Sequence, residues 1–156
     1  MAIQLCAIII DESLVLNDFD LGGRLMRSND LTHVRRDLAE WGEPIVADQL
    51  ISHYASALKG QTSLAQPLAF NHRRFWRHLF AGHVNEALST RRELQKLGKL
   101  VGMRPSAFDD VDRMVVDELM YVIMARFHRS PAVARDYSMS LIDIASSLVE
   151  TRLNAA

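Results

Sequence analysis

From residue 31 onward apolar residues recur at spacings of three and four, and no stretch alternates with the period of two that a half-buried strand requires. Leu31, Val34, Leu38 and Trp41 begin the series behind Ser28, Asn29 and Asp30, which offer N-caps. Pro44 interrupts it, and Ile45, Leu50, Ile51, Tyr54, Ala57 and Leu58 resume it, so two helices meeting at a sharp proline junction are expected. Residues 60 to 66 read as a loop. Pro67 suits the first turn of the next helix, in which Phe75, Leu79 and Phe80 form the apolar side and Gly82 the stop. After a helix at about 84 to 100, Pro105 opens a long one running to about His128, and Pro131 opens the last. Ahead of all these, a short helix within Asp11 to Leu25, capped by Ser13, is broken by Gly22 and Gly23. The pattern predicts an all-helical protein, with glycine and proline at helix ends.

The stretch from Trp76 to Phe108 organises this pattern. Its helix sets Ala87, Arg91, Leu94 and Gly98 on one face, flanked by Val84, Leu88 and Leu97. A glycine inside a helix costs about 0.8 to 1.0 kcal/mol relative to alanine. Gly98 is therefore a packing notch, a fraying point, or the place of a residue that has been lost.

Length suits one domain over residues 1 to 156, with a core at about 30 to 153 and an N-terminal extension at 1 to 29. Eighteen basic residues against nineteen acidic leave no global field to attract nucleic acid or an anionic membrane. Cys6 is the single cysteine and no zinc spacing occurs, which suggests a reducing, cytoplasmic setting. The opening MAIQLCAIII lacks a basic flank and ends at Asp11 and Glu12, too short for a bilayer span. No output domain follows Ala156, so the sequence reads as a stand-alone protein or a fragment.

The order WRHLFAGHVNEAL, KLVGMRPSAF and two long closing helices, with SHYASAL upstream, resembles the globin-coupled sensor family across about residues 30 to 153. Trp76, Leu79, Phe80 and Gly82 match a helix-ending pattern, and Val101, Gly102, Pro105 and Phe108 match the elements that follow the proximal helix. The resemblance implies a globin-like multi-helix bundle holding haem b between the helices at about 68 to 80 and 84 to 100, with Tyr54 as the distal hydroxyl toward bound oxygen. It also implies a homodimer built by the last two helices as a four-helix bundle, passing a signal to an output such as a chemotaxis receptor module. The sequence departs from the family at the proximal histidine, whose place is taken by Gly98; some relatives keep the fold and have lost haem. The pocket candidates on this reading are Tyr54, Phe75, Trp76, Leu94, Gly98 and Phe108.

Each candidate also has a plainer reading. Tyr54 reads equally as a core aromatic with its hydroxyl on a carbonyl. His72, His78 and His83 are the imidazoles available as substitute metal ligands, and each reads equally as a solvated or capping histidine. In HRRFWRH, Arg73 and Arg77 fall one turn apart on a solvated face while Phe75 and Leu79 turn inward. Asp109, Asp110 and Asp112 read as carboxylates favoured near a helix N-terminus. Met103, Met114, Met120, Met124 and Met139 read as core filler. No nucleophile elbow or phosphate loop points to an enzyme.

The expectation is a globin-type signal-sensing input domain, with haem and oxygen binding hanging on Gly98. The alternative is a haem-free interaction module that senses a small apolar or anionic ligand. In that case large side chains fill the space beside Gly98. The apolar repeat from Val133 to Leu148 is the expected dimer seam.

Overall fold

A computed structural model describes residues 28–59 and 62–155. The expected leading helix, the MAIQLCAIII opening and Cys6 lie outside the described residues. Five helices follow one another: α1 (Ser28–Ala57), α2 (Thr62–Ala81), α3 (Val84–Leu100), α4 (Pro105–Arg126) and α5 (Pro131–Ala155). No strand occurs among the described residues, as the spacing predicts. The protein is an all-α multi-helix bundle.

The expected break at Pro44 is absent, and α1 runs through it as one helix of 30 residues. Proline costs a helix interior about 3 kcal/mol. Against that, Leu38, Val46, Leu50 and Tyr54, on both sides of the proline, are fully buried, and each such side chain returns about 1.5 to 3 kcal/mol. Pro44 and Glu40, whose carbonyl loses its helical donor, both lie on the exposed side. Burial outweighs the break. Likewise α2 starts at Thr62, inside the expected loop, so Pro67 stands in the helix interior rather than its first turn. Burial of Ala65, Leu68 and Ala69 extends the helix backward, and Ser63, whose carbonyl Pro67 leaves without a donor, is exposed.

The remaining boundaries follow the glycines and prolines. Gly82 (φ 75°) and Gly102 (φ 73°) take the left-handed conformation at the ends of α2 and α3. At both ends the same pair of bonds closes the last turn: Gly82 N–H to Leu79 O with His83 N–H to His78 O, and Gly102 N–H to Lys99 O with Met103 N–H to Gly98 O. Pro105 opens α4 where its missing N–H costs nothing. Arg35 of α1 finishes the end of α2, donating to Phe80 O at 2.8 Å and Leu79 O at 2.6 Å, while its third nitrogen reaches Asp143 of α5 at 2.8 Å.

The core joins Leu38, Val46, Leu50 and Tyr54 of α1 to Phe75, Trp76 and Leu79 of α2, Leu94 of α3, Phe108, Val115, Leu119 and Ile123 of α4, and Leu141 and Ile144 of α5. Met103, Met114 and Met120 pack against it, whereas Met124 and Met139 are exposed, against the expectation of core filler for all five.

Gly98 is a packing notch. A Cβ there would stand 2.4 Å from Phe108 Cζ and 2.8 Å from its Cε2, and the Phe108 ring is buried. Gly98→Ala therefore gains about 1 kcal/mol of helix propensity and loses about 1 to 3 kcal/mol to overpacking. The second effect wins. In urea denaturation the variant is expected to be up to about 2 kcal/mol less stable, and in the Phe108→Leu background the same substitution is expected to cost less; additive single effects would contradict the notch.

Candidate functional site

Three helices carry a polar side chain on an otherwise apolar stripe. His72 follows Leu68 by four residues and precedes Trp76 by four on α2, Arg91 lies between Ala87 and Leu94 on α3, and Asp112 lies between Phe108 and Val115 on α4. Helical periodicity turns all three inward. His72 is fully buried, and Arg91 and Asp112 are each 2% exposed. Buried charges persist only when paired and hydrogen-bonded, and here they find one another.

Asp112 is the hub. Its Oδ1 accepts from His72 Nε2 at 2.7 Å and from Trp76 Nε1 at 3.0 Å, and its Oδ2 accepts from an Arg91 guanidinium nitrogen at 2.7 Å. The second terminal nitrogen of Arg91 reaches Asp109 Oδ1 at 2.6 Å, and the same oxygen accepts from Arg152 Nε of α5 at 2.8 Å. The Arg91 guanidinium lies between the rings of Phe75 and Phe108, 5.2 and 5.5 Å from their centroids. At the other end His72 Nδ1 meets the Tyr54 hydroxyl of α1 at 2.8 Å. The chain Tyr54, His72, Asp112, Arg91, Asp109, Arg152 thus ties all five helices together.

An ionised carboxylate only accepts, so His72 Nε2 donates to Asp112, and the ring's other nitrogen is bonded to the Tyr54 hydroxyl. Two guanidiniums, Arg91 and Arg152, face the two carboxylates. Burial would push the Asp112 carboxyl up, but the charge and hydrogen bonds of His72 and Arg91 more than offset it and hold it below its ordinary value of 3.8. Burial and the neighbouring Asp112 charge push the Tyr54 hydroxyl far up, so it remains a neutral donor. The linked Tyr54, His72 and Asp112 have the form of a proton relay, yet Tyr54 and His72 expose no surface. They cannot reach a substrate in bulk water.

Several expectations change here. Tyr54 is a buried core aromatic, but its hydroxyl bonds an imidazole and not a carbonyl. His72 belongs to the core rather than to a solvated face, and both its ring nitrogens are committed. His78 and His83 sit together at the α2–α3 turn, with ring centroids 6.3 Å apart. That is the far end of α3 from Gly98, about 22 Å away along a helix at 1.5 Å per residue. Asp109 and Asp112 lie beyond the first turn of α4, which holds no acidic residue, and pair with arginines. Among the described residues no group of three or more histidine, cysteine, aspartate or glutamate side chains is placed to hold a metal ion.

The pocket candidates Tyr54, Phe75, Trp76, Leu94 and Phe108 do converge, but as core. They do not fit haem. Phe108 stands against Gly98 where the resemblance would place the ring and its iron ligand, and any side chain at position 98 meets that phenyl group. The run HRRFWRH keeps its solvated face: Arg73 and Arg77 both bond Glu43 Oε1, at 2.8 and 2.6 Å. Beside them a surface groove of about 350 Å³ is lined by Arg35, Arg36, Glu43, Arg77 and Phe80 among others. Its guanidiniums already serve the α2 carbonyls, Glu43 and His33.

Sequence reasoning missed Arg91 and Asp112 as partners. The available signal was a charged residue at the same register as buried leucine, valine and phenylalanine on two separate helices.

Asp112→Asn leaves Arg91 facing a neutral amide and breaks a buried pair, a change that costs about 3 to 5 kcal/mol. Urea denaturation at neutral pH checks this, and a loss below about 1 kcal/mol, the level of an exposed pair, contradicts the hub. Because the Asp112 carboxyl is depressed in the folded state, its contribution is complete above its ordinary value of 3.8 and is lost as pH falls through the lower folded value. Stability measured from neutral pH downward is expected to fall below about pH 4, with a shallower slope in Asp112→Asn.

Compared with known protein families, curated proteins and solved structures, the chain matches none.

Proposed function

We propose that the protein is a haem-independent, globin-type signal-input module that works as a homodimer through its last two helices. The observation that carries this reading is a stripe on α5 that is both exposed and apolar at Met139, Val149 and Leu153. Met139, Ile142, Ser146, Val149 and Leu153 follow at intervals of three, four, three and four, the spacing of a coiled-coil seam. Met139 is 54% exposed, Val149 51% and Leu153 75%. On α4, Tyr121 is 70% and Met124 55% exposed. Ser138 Oγ bonds Met120 Sδ, so the adjoining Met139 and Tyr121 stand at the same height of the α4–α5 pair.

The stripe is not the repeat expected from sequence. Leu141, Ile144 and Leu148 face the core, and Tyr137 packs on Phe127 with ring centroids 4.5 Å apart. The seam is the other side of the same helix. Two α4–α5 pairs meeting along it would form a four-helix bundle, the arrangement that the family resemblance implies. The filled space beside Gly98 supports an input other than a gas on haem iron. No described helix is long and apolar enough to cross a membrane.

Val149→Glu combined with Leu153→Glu places charge on the seam and touches no core residue. In sedimentation equilibrium the wild type is expected to be dimeric at micromolar concentration and the double variant monomeric, with dissociation raised at least about 100-fold and thermal stability of the monomer unchanged. A wild type that sediments as a monomer at high concentration would overturn the reading.

A further inference from the structure

We propose that the groove between α1 and the end of α2 binds a small organic phosphomonoester, with the phosphoryl dianion seated between Arg36 and Arg77 and the carbon body over Ala39 and Phe80. The groove is lined by α1 and α2 alone, and the inference does not depend on the dimer reading.

The two walls follow from helical spacing. Arg35, Arg36, Ala39 and Glu43 share one face of α1, and Arg77, Phe80 and Ala81 meet them from the last turns of α2. The space between them is about 350 Å³, within the range of small-molecule sites. Arg35 fixes its shape. Two of its nitrogens hold the Phe80 and Leu79 carbonyls and the third holds Asp143, so its guanidinium is committed while its stem stays in the wall.

Positive charge is in excess here, although the whole chain carries a net charge of -1. Four guanidiniums, those of Arg35, Arg36, Arg73 and Arg77, have two carboxylates between them, Asp143 and Glu43. Glu43 Oε1 alone serves Arg73 at 2.8 Å and Arg77 at 2.6 Å. Burial works to raise the Glu43 carboxyl, yet Arg77 and Arg73 outweigh it and hold the group below its ordinary value of 4.5. Arg77 engages Glu43 through Nε, which leaves its two terminal nitrogens for another acceptor. Arg36 makes no ion pair among the described residues, and its bond is to His33 Nδ1 at 2.9 Å. Asp37 is engaged by His33 and Tyr137, and Glu40 does not line the groove.

Two uncompensated forks select the ligand. Guanidinium forks match the paired oxygens of phosphoryl and carboxylate groups. A phosphomonoester carries close to two negative charges at neutral pH, which equals the excess, whereas a single carboxylate would leave one cation over. Ala39, Phe80 and the arginine stems form an apolar floor that a bare ion would leave uncovered. The dianion therefore carries a carbon body.

The test is isothermal titration calorimetry of the intact chain with phenyl phosphate at about pH 7.5, where the probe is a dianion, in about 0.1 M salt. A Kd below about 1 mM is expected; weaker binding overturns the site. Arg36→Gln combined with Arg77→Gln is expected to raise Kd at least about 10-fold. Lys96→Gln combined with Lys99→Gln removes the same charge from exposed positions of α3 and is expected to change Kd less than about twofold. Equal losses in the two pairs would reduce the effect to net charge and overturn the site. Phenyl sulfate, the same ring with one charge, is expected to bind at least about 10-fold more weakly, and equal affinity overturns the dianion. Inorganic phosphate is expected to bind more weakly than phenyl phosphate; equal affinity overturns the carbon body and assigns the groove to free phosphate. Arg36 and Arg77 are both exposed, so helical circular dichroism is expected to be unchanged in their variant. Should that pair not fold, Arg36→Gln alone carries the same test, with Kd expected to rise at least about threefold.

Discussion

Burying the Arg91 guanidinium constrains the rest of the bundle. A cation taken from water loses several kcal/mol of hydration, and α3 offers no carboxylate on the same face. The compensation has to come from other helices. Asp112 and Asp109 of α4 supply the charge, while Phe75 of α2 and Phe108 of α4 supply the ring faces. Four groups from two helices must therefore arrive together, and the position of α4 against α2 and α3 is set by directional bonds as well as by apolar contact. Oily packing alone tolerates sliding by a fraction of a turn. A carboxylate accepting three bonds of 2.7 to 3.0 Å does not.

The same constraint explains why Gly98 is glycine. Phe108 lies over Arg91, which brings its ring edge against the α3 backbone in the last turn of the helix. Space is made there by removing a side chain. Packing against Phe108 accounts for the glycine at this position without a cofactor.

A network that crosses five helices also distributes consequences. Its interior members are buried and each has its partners, while its outer member, Arg152, is half-exposed on α5. Val149 and Leu153 belong to the same turns and face outward.

The sequence by itself determined that the protein is helical and where most helices stop, because periodicity, left-handed glycines and N-terminal prolines act over a single turn. It also marked Phe75, Leu79, Ala87 and Leu94 as core. The resemblance to sensor globins remains a proposal, since the bundle alone is shared by many helical proteins. Only the tertiary structure decided that Pro44 and Pro67 are carried inside helices, because the burial that outweighs each break comes from residues distant in sequence. It alone decided which side of α5 is free, since both sides carry apolar repeats and α1, α3 and α4 cover one of them. It alone joined His72, Arg91 and Asp112, whose separations of 19 and 21 residues carry no local signal. Charge pairing across a core depends on where whole helices cross, and that is fixed by the sum of contacts rather than by any one stretch of chain.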